Sequence, residues 1–393
     1  EIYISLNCLR FFKLTKFLIP CEEALGESRV SATPETVKKL KTLGCEIFIE
    51  KSAGELSGFN DFSYEKNGGV IFSKNDNNAW ETADIIFCIN CPDEERLKKL
   101  KKGALIIGLL NPFGNKTLAQ RLFDQNLSAI SLELLPRISR AQSCDVLSSQ
   151  ANIAGYKSVL LAASELDRYF PMLMTAAGTV QPAKVVVLGG GVAGLQAVAT
   201  AKRLGALVYV SDIRPAVKEQ VESLGAKFIK LPEIEEKPSE SGGYAKAVSS
   251  KFLEEQRQIL SEHLSEADVA ICTAQVLGKK APILINEKML QKMRPGSVVV
   301  DLAVSQGGNC VNTEPNKTII YKGVKLIGAP DLPASVPFHA SSLYARNLNS
   351  LITPFIKEGN LDLDKNDEII QGCLISDNGA ILQEKVFEVG GGN

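Results

Sequence analysis

The segment AKVVVLGGGVAGLQAVATAKRLGALVYVSDIR constrains the fold of this chain more than any other. It reads as a strand at Lys184–Leu188, a glycine-rich turn, a helix through Ala197–Leu204 and a second strand. Glycines spaced G-x-G-x-x-G between a strand and a helix are typical of a dinucleotide-binding βαβ unit. Because such a unit is built on a parallel sheet with crossover helices, the segment predicts an α/β fold.

Each glycine of this turn has a separate predicted role. Gly189 permits the tight turn, Gly191 lets the backbone approach a pyrophosphate, and Gly194 lets the helix lie close to the strand. Val192 and Ala193 belong to the start of the helix, whose N-terminus favours a phosphate charge. The turn therefore predicts a bound nicotinamide dinucleotide, and a glycine turn without a ligand is the alternative.

Asp212 ends the second strand, where an acid is expected to bind the adenosine ribose hydroxyls. A carboxylate there repels a 2′-phosphate, which favours NAD(H) over NADP(H). Ile213 and Arg214 follow and are further cofactor-binding candidates, although the cation of Arg214 slightly opposes that preference. Thr273, Ala274 and Gln275 are candidates at the end of a later strand of the same domain.

Strand and helix patterns alternate along most of the chain, which predicts doubly wound parallel sheets. Two predicted long helices, at 146–169 and Phe338–Ile352, flank the glycine-rich block. We therefore expect two Rossmann-like domains joined by long helices, with the nucleotide domain inserted in the other. The predicted bounds are residues 1–146 with 339–393 for the outer domain and residues 147–338 for the NAD(H)-binding domain.

Composition excludes several functional classes. The 44 basic and 45 acidic residues give no nucleic-acid signal, because phosphate binding usually needs a basic excess. The apolar runs are far shorter than the ~18 residues of a membrane span, which predicts a soluble chain. The 9 cysteines form no disulfide framework. Cys88 and Cys91 are either a redox pair or two residues that fill a strand-to-loop corner.

The sequence contains few histidines that could act as a catalytic acid or base. The 2 histidines are His263, predicted to be solvated on a polar helix, and His339, predicted to be a capping or interdomain residue. An alcohol or amine dehydrogenase needs a placed acid or base to move a proton. Hydride that passes from one nicotinamide to another moves no proton, so the shortage of candidate bases is compatible with transhydrogenation.

The segment PRISRAQSCDVLSSQ places polar side chains between a strand and a long helix. Arg137, Gln142, Asp145 and Ser148 offer donors and acceptors that could fix a carboxamide. A capping network at the start of the helix explains the same residues equally well, and the spacing leaves both interpretations open.

Several long segments carry a family resemblance. They are IPCEEALGESRVSATPETVKKL, PRISRAQSCDVLSSQANIAGYKS, TAAGTVQPAKVVVLGGGVAGLQAVATAKRLGALVYVSDIRPAVKEQVESLGAKF, SGGYAKA and RPGSVVVDLAVSQGGNC. Together they resemble the NAD(H)-binding component of proton-translocating NAD(P) transhydrogenases, which shares the alanine dehydrogenase fold. The resemblance extends from about Ile19 to Ala380.

The resemblance implies roles for particular residues. Arg137, Gln142, Asp145 and Ser148 match the loop that orients the dihydronicotinamide. Tyr244, with Gly243 beside it in SGGYAK, matches a mobile loop that closes over the nucleotide. The rest of the Pro-, Ser- and Gly-rich segment 231–247 is predicted to be a surface loop.

The resemblance also implies partners. The family's component is a homodimer that docks on an NADP(H)-binding component, and a membrane domain couples hydride transfer to proton movement. The expected location is therefore peripheral to a membrane, on the bacterial cytoplasmic or mitochondrial matrix side.

Some positions depart from the family. The loop Val276–Pro282 reads VLGKKAP and lacks two of the usual prolines, so we expect it to be less rigid. An alanine dehydrogenase-like enzyme is the main alternative, and Arg29 resembles its substrate-carboxylate arginine. That enzyme also needs a lysine at Cys88, a histidine near Leu109 and an acid near Ser305, which this chain lacks. A non-catalytic NAD-binding module is the third possibility.

Overall fold

The computed structural model describes residues 14–231 and 250–388. The chain divides into two compact units, Glu1–Ser149 with Pro337–Asn393 (unit 1) and Gln150–Val336 (unit 2). The predicted surface loop at 231–247 lies, except for its first residue, outside the described residues.

The secondary structure alternates between strands and helices in both units. The strands are β1 (Lys16–Ile19), β2 (Glu46–Glu50), β3 (Val70–Phe72), β4 (Ile85–Asn90), β5 (Leu105–Leu109), β6 (Ser128–Ser131), β7 (Leu173–Thr175), β8 (Gly178–Val180), β9 (Lys184–Leu188), β10 (Leu207–Ser211), β11 (Lys227–Phe228), β12 (Val269–Cys272), β13 (Val298–Asp301), β14 (Thr318–Tyr321), β15 (Val324–Gly328), β16 (Ile356–Lys357), β17 (Asn360–Leu361), β18 (Leu374–Asp377) and β19 (Ala380–Ile381). The helices are α1 (Pro34–Thr42), α2 (Asp61–Lys66), α3 (Asn77–Thr82), α4 (Glu94–Lys99), α5 (Lys116–Asp124), α6 (Val146–Glu165), α7 (Val192–Arg203), α8 (Val217–Ser223), α9 (Ser250–Ser265), α10 (Glu287–Leu290), α11 (Pro337–Ile352), α12 (Glu368–Cys373) and α13 (Glu384–Glu388).

The sheet of unit 1 has the described strand order β19-β18-β6-β5-β4-β1-β2-β3. Its pairs are parallel except for those that β18 makes with β6 and β19. The first five residues of β4 are buried in a continuous run, as expected for a parallel strand that is covered on both faces. The strand order reverses between β1 and β4, so the ends of these two strands form the switch point of unit 1.

The sheet of unit 2 has the described order β11-β10-β9-β12-β13-β15-β14. Only the β14–β15 pair among these is antiparallel. Val185 of β9 lies between Val208 of β10 and Val269 of β12, at the centre of the apolar core. The order reverses between β9 and β12, and open α/β sheets bind ligands at the strand ends there. The two parallel-dominated sheets confirm the predicted α/β fold class.

The long helix α6 ends at Glu165, not near residue 169 as predicted. The ammonium of Lys325 donates to the carbonyl oxygen of Glu165 at 2.6 Å, and Arg168 pairs with Asp268 instead of continuing the helix. These contacts are distant in sequence, so local periodicity gave no sign of them. The described elements that the sequence did not predict are mostly short and include α2, β3, α3, β14 and the β7–β8 hairpin.

Candidate functional site

The glycine turn follows β9 in unit 2, at its switch point. Gly189 has a φ of +105°, a conformation that L side chains rarely adopt, and Gly191 precedes the first residue of α7. A Cβ at Gly194 would lie only 1.8 Å from the Gly189 carbonyl oxygen, whereas one at Gly191 would meet nothing within 4 Å. Gly194 therefore sets the close packing of helix on strand, and Gly191 leaves room in front of the helix N-terminus.

The end of β12 forms the other side of this switch point. The Thr273 hydroxyl donates to the carbonyl oxygen of Gly189 at 2.9 Å and so ties the two strand ends together. The Gln275 side chain donates to the Leu302 carbonyl oxygen at 2.6 Å. The structure thus brings the Thr273–Gln275 segment to the same edge of the sheet as the glycine turn.

Asn309 anchors this edge, although nothing in the sequence predicted it. Its side-chain oxygen accepts from the Ala274 backbone N–H at 3.0 Å, and its amide donates to the carbonyl oxygens of Ala274 and Pro282, each at 2.8 Å. Asn309 thereby holds the strand end and the last residue of the VLGKKAP loop. No local sequence pattern marks such a residue, because its partners are distant along the chain.

Asp301 in turn orders the segment that carries Asn309. This fully buried carboxylate accepts from the backbone N–H groups of Ala303, Asn309 and Cys310 and from the Thr313 hydroxyl, at 2.9 to 3.0 Å. Burial raises the pKa of Asp301, and these four hydrogen bonds oppose that shift. The acid is thus committed to structure and is not a free base.

Gly155 is a second residue whose role no sequence pattern predicted. It lies on α6, where a Cβ would come within 2.0 Å of the Ala193 carbonyl oxygen at the start of α7. The two helix backbones therefore approach directly, and a larger residue would push α7 away from its position.

Asp212 lies just beyond β10 with its side chain almost fully buried. It accepts from the Gly190 backbone N–H at 2.7 Å, which links it to the glycine turn. The Arg214 guanidinium donates to both carboxylate oxygens at 3.0 Å, and the Arg214 backbone N–H donates at 2.8 Å. Burial acts to raise the pKa of Asp212, but the hydrogen bonds from Arg214 and Gly190 outweigh it and hold the pKa below its usual value. Asp212 is therefore an anion.

Val192 and Ile213 present exposed apolar surface beside this acid, with exposed fractions of 43% and 66%. They extend the edge formed by the glycine turn. Gly243 and Tyr244 lie outside the described residues.

The polar loop predicted to orient nicotinamide belongs to unit 1, whereas the glycine turn belongs to unit 2. Residues Ser139–Cys144 form a 3₁₀ helix whose Ala141 and Cys144 are buried in the core. Arg140 pairs with Asp367 at 2.5 Å. The loop backbone is therefore fixed, while the Arg137 and Gln142 side chains are exposed and make no hydrogen bond or ion pair within the described chain.

Asp145 and Ser148 form a cap at the start of α6. The Asp145 carboxylate accepts from the Ser148 backbone N–H at 2.9 Å and from its hydroxyl at 2.6 Å. This is the capping interaction that the sequence left open, and it is typical of an acid before a helix. Both side chains remain partly exposed, so capping does not exclude a ligand contact.

The switch point of unit 1 holds two acids, the half-buried Glu22 and the buried Glu27. Glu22 accepts from the backbone N–H groups of Ile89 and Asn90 at 2.6 and 3.1 Å, and burial raises its pKa to about 7. Glu27 pairs with the Arg29 guanidinium through contacts of 2.6 and 2.8 Å. The Glu27 carboxylate therefore already binds Arg29, the residue that resembles the substrate-binding arginine of alanine dehydrogenases.

Among residues 14–231 and 250–388, neither the thiols nor the histidines supply an evident acid or base. Burial raises the pKa of Cys91 to about 12 and that of Cys88 well above its usual value. His263 is half-buried beside Tyr209, with ring centres 5.3 Å apart, so the prediction that it is solvated was wrong. Burial and the nearby Lys184 lower its pKa. His339 is exposed and packs edge-on against Phe338.

Comparisons with known proteins place these features in a family. Residues 18–154 match the model described as alanine dehydrogenase/PNT, N-terminal domain, and residues 158–384 match alanine dehydrogenase/PNT, C-terminal domain. The chain belongs to the alanine dehydrogenase/PNT family. Within the portion that the structure describes, no helix of this family member is long and apolar enough to cross a membrane, and no cluster of His, Cys, Asp or Glu could hold a metal ion.

Similar members of the alanine dehydrogenase/PNT family carry transhydrogenase names. The chain is 44% identical over 375 residues to the first segment of NAD(P) transhydrogenase subunit alpha from Rhodospirillum rubrum, and the match covers 93% of this chain and 97% of that protein. The structure of the transhydrogenase from Sinorhizobium meliloti matches with a TM-score of 0.85 at 40% identity, covering 93% of this chain and all of that one. An L-alanine dehydrogenase matches with a TM-score of 0.77 at 26% identity, covering 95% and 99%. The predicted relationship to the transhydrogenase component is confirmed.

Proposed function

We propose that this chain binds NADH and passes its hydride directly to NADP⁺ on a partner transhydrogenase component, in a reversible reaction. A membrane domain couples that transfer to proton translocation. The chain works as a homodimer peripheral to the membrane. NAD(H) binding is assigned to the predicted domain of residues 147–338, within which unit 2 lies, and residues 1–146 with 339–393 are the predicted outer domain.

The observation that carries this proposal is the polar loop of unit 1. Its buried Ala141 and Cys144 fix the backbone, while Arg137 and Gln142 point polar groups into solvent. A nicotinamide ring offers little to hold except its carboxamide. Arg137 donates to the carboxamide oxygen, and Asp145 and Ser148 accept from its nitrogen. Gln142 bridges toward the partner or the ribose of the ring.

The binding half of the proposal rests on unit 2. The glycine turn leaves space before the N-terminus of α7, where the helix dipole favours the pyrophosphate. The anionic Asp212 accepts from the adenosine ribose hydroxyls, which replace one of the four internal hydrogen bonds that its carboxylate otherwise accepts. The edge formed by Thr273, Ala274 and Gln275 borders the nicotinamide half. Gly243 and Tyr244, which lie outside the described residues, complete the proposed set of cofactor-binding residues.

Hydride transfer between two nicotinamides needs orientation and no proton transfer. The reacting carbons must be held at about 3–3.5 Å. The side chains of the loop orient the ring, and none has to exchange a proton. The acids Glu22, Glu27 and Asp301 are all hydrogen-bonded inside the protein, in keeping with a reaction that needs no proton transfer.

An assay of two reactions tests the proposal. Mixed with an NADP⁺-loaded partner component, the chain should oxidise NADH and form NADPH. Supplied instead with pyruvate and ammonia, it should not oxidise NADH, because Cys88 stands where the alternative enzyme needs a lysine. Robust pyruvate- and ammonia-dependent oxidation would overturn the proposal in favour of an alanine dehydrogenase. NADH binding without either reaction would favour a non-catalytic module.

A further inference from the structure

The pairing of Asp212 with Arg214 bears on how the site selects its nucleotide. Both carboxylate oxygens accept from the same guanidinium, and each also accepts a backbone N–H, from Gly190 or from Arg214 itself. The Asp212 side chain is only 6% exposed, whereas the Arg214 side chain is 57% exposed. Arg214 therefore lies on the solvent side of Asp212. Both hydrogen bonds from its guanidinium to the Asp212 carboxylate point toward the protein interior.

A guanidinium beside the ribose end of a dinucleotide has a definite chemistry. Its planar fork matches phosphate oxygens in a bidentate manner, and an arginine near this strand end can accommodate the 2′-phosphate of NADP. Here the Nε–Nη2 edge of the guanidinium, which could bind that phosphate, is already occupied by a carboxylate of the same chain.

We propose that Arg214 is a latent binding group for a 2′-phosphate and that Asp212 keeps it inactive by holding its guanidinium. Asp212 then excludes NADP(H) in two ways, by repelling the 2′-phosphate and by occupying the cation that would bind it. This inference rests on the proposed function, because it concerns the same NAD(H) site.

The two mechanisms make different predictions for double substitution. If repulsion alone excludes the phosphate, neutralising Asp212 raises the affinity for a 2′-phosphate by the same factor whether or not Arg214 is present. If Asp212 also holds Arg214, most of that increase in affinity for the 2′-phosphate disappears when Arg214 is replaced. A double-mutant cycle measures this difference directly.

Asp212→Asn is the suitable variant because it removes the charge and keeps an oxygen that can accept from the Gly190 N–H. The probes are 2′,5′-ADP, which carries the phosphate without the nicotinamide, and 5′-AMP as its matched control. We expect Asp212→Asn to bind 2′,5′-ADP about tenfold more tightly than wild type, which corresponds to about 1.4 kcal/mol of binding free energy. Asp212→Asn/Arg214→Gln should lose that gain, and Arg214→Gln alone should change 2′,5′-ADP binding by less than about threefold.

Isothermal titration of the full chain, with thermal melting to show that each variant is folded, decides the outcome. Asp212→Ser replaces Asp212→Asn if the latter does not fold. If Asp212→Asn and Asp212→Asn/Arg214→Gln gained the same affinity for 2′,5′-ADP, the inference would be overturned. Repulsion by Asp212 would then be the sole cause of the exclusion. Absence of any gain would also overturn it. If the wild-type chain binds NADH but the variants do not show the expected changes in 2′,5′-ADP affinity, only this inference is wrong. If the wild-type chain does not bind NADH, the proposed function is wrong.

Discussion

Replacing Arg137 by alanine should slow hydride transfer from NADH to the NADP⁺ of the partner component by a factor of about 100 or more. Arg137 is exposed and has no partner within the described residues, so its guanidinium is available to the carboxamide oxygen. Loss of that contact lets the ring rotate, and a misplacement of about 1 Å can cost on the order of 100-fold in rate. NADH affinity should fall by less than about tenfold, because the adenosine half binds separately at Asp212 and the glycine turn.

Stopped-flow transfer beside equilibrium NADH titration separates these two effects. Arg140→Ala is the matched control, because it removes the same charge from the same loop but from a side chain that pairs with Asp367. It should slow transfer by less than about tenfold, since an exposed ion pair contributes about 0–1 kcal/mol. If Arg140→Ala slowed hydride transfer as much as Arg137→Ala, the proposed orienting role of Arg137 would be wrong. The orienting role of the loop would also be wrong if Arg137→Ala and Gln142→Asn lost NADH affinity but kept the wild-type transfer rate.

Gly194→Ala should destabilise unit 2 and abolish NADH binding. The new Cβ would lie 1.8 Å from the Gly189 carbonyl oxygen and 2.9 Å from its carbon, and both are backbone atoms that cannot rotate away. Overpacking costs about 1–3 kcal/mol of unfolding free energy, and a clash between backbone atoms places this substitution at the upper end of that range. The helix must move off the strand, and the turn that precedes it changes shape. We expect NADH affinity to fall by more than about 100-fold.

Gly191→Ala supplies the control for this substitution. Its φ of −75° suits alanine, and no atom lies within 4 Å of the new Cβ, so the fold should keep its wild-type stability. The methyl group would nevertheless stand where the pyrophosphate approaches, and NADH affinity should fall. Urea denaturation and NADH fluorescence titration measure both quantities. Wild-type stability and binding in Gly194→Ala would contradict the geometry described for the turn.

Much of the candidate nucleotide-binding edge could be predicted from the sequence because its signals are local. The turn from Gly189 to Gly194 lies between a strand and a helix that each show their own periodicity, and Asp212 ends the next strand. The polar loop was also found locally, although its spacing did not separate capping from ligand binding. Asp145 and Ser148 do cap α6, while Arg137 and Gln142 lie free of such contacts in the described structure.

The residues that the sequence did not reveal act through distant contacts. Asn309 anchors Ala274 and Pro282, and Gly155 touches the backbone of Ala193; in both cases the partners are brought together only by the sheet and its crossovers. His263 was misjudged for the same reason, because Tyr209, which covers it, belongs to a strand far away in sequence. The pairing of Arg214 with Asp212 is local, yet its geometry depends on the side-chain conformation and not on the spacing.

Isotope tracing tests direct hydride transfer between the two nicotinamides. The chain would be mixed with an NADP⁺-loaded partner component and NADH that carries deuterium in the transferred position at C4. Direct transfer predicts that the deuterium appears in the NADPH and that none is lost to water, at a rate that changes little with pH near neutrality. Deuterium in the solvent, or NADPH without the label, would show that an intermediate acceptor or a proton-exchanging group takes part, and direct transfer would be contradicted.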